Sequence, residues 1–74
     1  MNNGDVSGRT RLNAAERIVR KHGGQFGSGE WCRATGLTET AALALRADLT
    51  TANYQVRSVI RPVKGAAPYE VVFR

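Results

Sequence analysis

Apolar residues recur at helical spacing in two stretches of the chain and at alternating spacing in its last third. In the first stretch Ala15, Ile18, Val19 and His22 share one side of a helical wheel, while Glu16, Arg17 and Arg20 share the other. Asn13 followed three residues later by Glu16 is a capping-box pattern, in which the Asn side chain accepts from a first-turn amide and the Glu reaches back. A helix is therefore predicted from Ala14, with Glu16 and Arg20 spaced i, i+4 on its outer side. The pair Gly23-Gly24 supplies the positive-φ residue that ends it.

The second stretch runs roughly from Glu39 to Ala52. Ala41, Ala42, Leu45, Leu49 and Ala52 cluster within about 100° of arc and make a core face. Thr38 caps its start, and Asn53 takes the left-handed conformation at its end. Between these helices Gln25 to Gly27 is a short extended connector with Phe26 as its buried residue. Ser28 is a natural cap for a further short helix over about Gly29 to Thr35, which Gly36 stops and in which Trp31 is the chief core anchor. From Tyr54 the pattern is β: YQVRSVIRPV is rich in β-branched residues, KGAAP breaks it, and YEVVFR alternates with Tyr69, Val71 and Phe73 on one face. Two antiparallel strands joined by a loop at Lys64 to Pro68 follow, with Pro62 at an edge or a fraying end.

Residues 1–11 contain one aliphatic residue after the first Met and are rich in Asn, Gly, Ser and Arg, so they are expected to form a flexible basic arm ahead of a domain at 12–74. A chain of 74 residues and 8.0 kDa has room for a single core. One Cys and one His exclude an internal disulfide and a Cys/His metal set, so no metal or other cofactor is expected. No apolar run approaches the roughly 20 residues of a membrane span and the polar start lacks a signal peptide's apolar stretch, so a cytoplasmic location is expected. Eleven Lys and Arg against six Asp and Glu give a net charge of +5, which favours an anionic partner. That charge is uneven: +3 over residues 1–22, −1 over 23–53 and +3 over 54–74.

The order helix, extended piece, helix, helix, strand, strand resembles the winged helix-turn-helix family over about Leu12 to Arg74. LNAAERIVRKHGGQF is similar to that family's first helix and the piece after it. In GSGEWCRATGLTETAALALRADLTTANYQV, Cys32 falls at the small buried position of the second helix, Gly36 in the turn, Leu37 at its buried apolar position and Thr38 at the cap of the recognition helix. RSVIRPVKGAAPYEVVFR is similar to the wing. The resemblance implies an α+β fold, a three-helix winged helix-turn-helix with a C-terminal two-stranded β-hairpin wing. It also implies a third helix in the DNA major groove and a wing and arm on phosphates or the minor groove.

The third helix is poor in the residue types that read bases. Its outer face offers Glu39, Thr40, Leu43, Ala44, Ala47 and Thr50, with Arg46 at the boundary, and carries no Lys, Asn or Gln. The wing is richer, because in a strand Arg57, Val59, Arg61 and Val63 share one face and place two guanidiniums about 14 Å apart, with Lys64 beside them. Arg9, Arg11, Arg33, Thr38, Thr40, Arg46, Arg57, Arg61 and Lys64 are thus the DNA-binding candidates. A small regulator of transcription, or an architectural or recombination accessory factor, is the expectation, bound to double-stranded DNA as a homodimer or as cooperative copies and associated with the nucleoid. Free-standing regulators of this size are frequent on phages and mobile elements. The alternative is an adaptor or inhibitor that binds an acidic protein partner through Glu39, Leu43, Ala44 and Ala47. No membrane partner is expected. No catalytic residues are expected either: Cys32 has no basic neighbour, His22 has no triad spacing, and GSG at Gly27 to Gly29 lacks the Lys-Ser/Thr of a phosphate loop.

Overall fold

The computed structural model describes residues 3–60 and 69–74. Its elements are α1 (Asn3–Lys21), β1 (Gln25–Gly27), β2 (Cys32–Leu37), α2 (Glu39–Thr51), β3 (Val56–Ile60) and β4 (Tyr69–Phe73). The strands form one antiparallel sheet in the order β1-β2-β4-β3. The fold is α+β, but it is not a three-helix winged helix-turn-helix. The described residues hold two helices, and a strand stands where the second of three helices was expected. β3 and β4 do pair antiparallel, yet β4 also pairs with β2, so the two strands belong to the body of the sheet and form no separate wing.

The segment from Cys32 to Leu37 is a strand because its burial alternates. Cys32 and Ala34 are buried while Arg33 is exposed. A lone helix of seven residues closes few internal hydrogen bonds, and nucleating it is costly. As a strand the same residues bond on both sides, to β1 through Phe26↔Ala34 and to β4 through Cys32↔Phe73 and Ala34↔Val71. Gly36 sits at φ 75° where the register shifts between Ala34 and Leu37, so it shapes a bulge instead of stopping a helix. That extra residue returns Leu37 to the core side, where it is 1% exposed.

All four strands present one face to the two helices. Phe26, Cys32, Ala34, Val56, Val59, Val71 and Phe73 meet Ala15 and Val19 of α1 and Ala42, Leu45 and Leu49 of α2 in one cluster. Phe73 is fully buried at its centre, with the Tyr54 ring edge-on at 5.8 Å and Phe26 at 6.4 Å. Trp31 is not the core anchor: it is half-buried and outside this cluster.

α2 follows its sequence pattern closely. Thr38 caps it, its hydroxyl oxygen accepting from the Ala41 amide at 3.1 Å, and Asn53 stands at φ 68° just beyond its end. α1 ends near the expected place, with Gly23 at φ 84°. Its start does not match: α1 begins at Asn3, not Ala14, so Asn13 lies inside the helix as no cap, and residues 3–11 of the expected arm are helical. Contacts between Arg11 and Tyr54 hold this extension against the body. Tyr54 donates its hydroxyl to the Arg11 carbonyl at 2.8 Å, and the Arg11 guanidinium stacks on the Tyr54 ring at 4.1 Å.

Candidate nucleic-acid interface

A strand edge, two helices and a bare sheet face distribute the basic residues over separate surfaces. On α2 the expected outer face is exposed as read: Glu39, Thr40, Leu43, Ala44 and Ala47 lie away from Ala42, Leu45 and Leu49, and Arg46 is exposed at the boundary. Thr38 is exposed too, but its hydroxyl is committed to the cap. Glu39, Leu43 and Arg46 form one wall of a cleft of about 340 Å³ whose other wall includes Arg57, Val59 and Tyr69. The structure thus brings Arg46 and Arg57, from different elements, to one cleft together with two of the protein-interface candidates.

β3 does not alternate as expected. Its register shifts between Val56 and Ser58, so Val56 and Val59 both pack toward the helices while Arg57 between them is exposed. The expectation that Arg57 and Val59 share a face is corrected by this bulge, which turns the chain one residue early. The Arg57 guanidinium lies 5.3 Å from the centre of the Trp31 ring, and that of Arg74 lies 5.1 Å from the same ring. Arg61, Pro62, Lys64 and the loop from Lys64 to Pro68 lie outside the described residues. Arg33 is exposed and donates to Glu70 at 3.1 Å.

Arg9 and Arg11 sit on α1. Arg11 is engaged with Tyr54 and also donates to the Asn53 carbonyl at 3.3 Å, so it ties α1 to the end of α2. Arg9 is exposed, and helix geometry aligns it with three other polar residues. Arg9, Asn13, Arg17 and Arg20 fall within about 80° of arc and span roughly 16 Å of helix, almost opposite Ala15, Ile18 and Val19. All four are exposed. Glu16 lies at the margin of this row and holds Arg20 at 2.7 Å. Among residues 9–60 and 69–74 no carboxylate pairs with Arg9 or Arg17. The reading of residues 1–11 as an arm hid this row. The signal that reveals it is the i, i+4, i+8 spacing of Arg9, Asn13 and Arg17.

The remaining polar groups have structural tasks. His22 Nε2 lies 2.6 Å from Asp48 Oδ2 and hydrogen-bonds the end of α1 to α2. Cys32 is a buried thiol in β2. Among the described residues no group of His, Cys, Asp and Glu is placed to hold a metal ion, and no helix is long and apolar enough to cross a membrane. Comparison with protein-family models, with curated proteins and with solved structures finds no match.

Proposed function

We propose that this protein binds duplex DNA and that α1, not α2, is the helix that enters the major groove. The carrying observation is the exposed row Arg9, Asn13, Arg17 and Arg20 on the side of α1 turned away from the core. Arg pairs with guanine and Asn with adenine in the major groove, and α2 offers a single exposed Arg, Arg46, and no Asn. A groove about 12 Å wide admits a single helix, and the row is long enough to touch several base pairs and both flanking backbones. The backbone supplies most of the affinity, so binding falls steeply with salt.

Fluorescence anisotropy with a labelled random duplex at about 50 and about 200 mM salt tests this reading. Wild-type protein should bind at low salt and weaken by at least tenfold at high salt. The pair Arg9→Ala and Arg17→Ala should each lower affinity by about 1–3 kcal/mol if they touch base edges, or reduce the salt slope by about one if they touch phosphates. Absence of any complex at low salt contradicts the proposal.

A second reading is favoured by one observation. Leu43 is 53% exposed and walls the α2/β3 cleft, an apolar side chain suited to a protein partner. Leu43→Asp should abolish such a protein contact and leave duplex binding within about twofold of wild type.

A further inference from the structure

Among the described residues both helices pack on one face of the sheet and no element covers the other, whose side chains form a distinct surface. Trp31 precedes β2 on the side opposite Cys32, and along the sheet the same face carries Arg33, Thr35, Glu70, Val72 and Arg74. Val72 is only 6% exposed yet lies outside the helix-side cluster, so the side chains of this face form a layer over it. Two guanidiniums, those of Arg57 and Arg74, share the Trp31 ring. They stand 5.3 and 5.1 Å from its centre, whereas Arg11 stacks on Tyr54 at 4.1 Å. The pair is thus held near the indole without the close stacking that would seal it. Among the described residues neither has an acidic partner; the face's one carboxylate, Glu70, is bonded to Arg33. Small residues stand on the two edge strands of this face, Gly27 opposite Arg33 and Ser58 opposite Val72.

We infer that this bare face is a second nucleic-acid surface and that it takes a single strand. An indole stacks on an unpaired base, and every base has a face to offer, while two neighbouring guanidiniums accept the phosphates on either side. A duplex keeps its bases stacked within the helix and has none to give the ring. The surface lies across the sheet from α1, so a duplex on α1 and a strand on Trp31 can be held at once, as where a duplex opens. This assignment stands on Trp31 and its arginines and does not depend on α1.

Trp31 is the single Trp of the chain, so its emission reports on this face alone. Titration of the full chain with oligo-dT of roughly a dozen nucleotides at low salt should quench that emission to saturation. The neutralising pair Arg57→Gln with Arg74→Gln should weaken quenching at least tenfold and lower duplex affinity far less. Should that double variant lose its native circular dichroism, Arg74→Ala alone should weaken quenching severalfold, since Arg74 is exposed beyond β4. Arg9→Ala with Arg17→Ala should do the reverse, losing duplex and keeping the strand. No change in Trp31 emission, equal quenching by a duplex, or an unaltered response in the folded arginine variants would overturn the inference. Duplex binding that the Arg9→Ala, Arg17→Ala variant retains, with quenching intact, contradicts only the role given to α1.

Discussion

Thr38 and Tyr54 show how much of this small molecule hangs on single side chains. The Thr38 hydroxyl accepts one of the unpaired amides at the start of α2, a contact that typically contributes about 1 kcal/mol. Thr38→Ala should lower unfolding stability by that amount in urea titration and leave duplex affinity unchanged, which separates its cap from any base contact. Tyr54→Phe keeps the ring against Phe73 but removes the bond to the Arg11 carbonyl. We expect a loss of about 0.5–1.5 kcal/mol in global stability, with a larger rise in amide exchange near Arg11 than in α2. Gly36 occupies left-handed backbone, so Gly36→Ala should cost about 1–2 kcal/mol by thermal melt. As an apolar reference, Phe73→Ala at the fully buried centre should cost about 3–5 kcal/mol, enough to leave little folded protein in so short a chain.

At the scale of elements, α2, β1, β3, β4 and the turn at Asn53 were legible because their signals are local: a cap, a helical stripe, an alternation, a left-handed Asn. β2 was not. Its Cys32, Arg33, Ala34 and Thr35 fit a short helix as well as a strand, and what decides between them is pairing with Val71 to Phe73, about forty positions away. The extension of α1 was also hidden, since residues 3–11 have little apolar content of their own. They continue a helix already started by the packing of Ala15 and Val19, and adding residues to an existing helix costs far less than nucleating one. The candidate site shifted with it, from a sparsely polar α2 to the outer row of α1. Asn13 separates the structural from the functional role of that row. Asn13→Ala improves helix propensity by several tenths of a kcal/mol, so circular dichroism should show equal or greater helicity, while affinity for a preferred duplex should fall by about 1–3 kcal/mol. A fall in both would assign Asn13 a structural role.

At the scale of the whole molecule, the described residues make a sheet with two helices on one side and no element on the other, and the basic charge among them divides accordingly. Part lies on the outer row of α1 and part with Trp31 on the uncovered face, while α2 contributes both Glu39 and Arg46 to its cleft. The two helices are joined across the core by Ala15, Val19, Ala42 and Leu45 and at its margin by His22 and Asp48. Asp48→Ala should therefore cost about 0.5–1.5 kcal/mol of stability by urea titration, because Asp48 is half exposed, and should weaken duplex binding only as far as α1 loosens. The most direct test of the central claim is amide chemical-shift mapping on titration of a short duplex. The largest changes should run along Arg9 to Lys21 of α1. Changes concentrated in Glu39 to Ala47 of α2, with α1 unmoved, would contradict it.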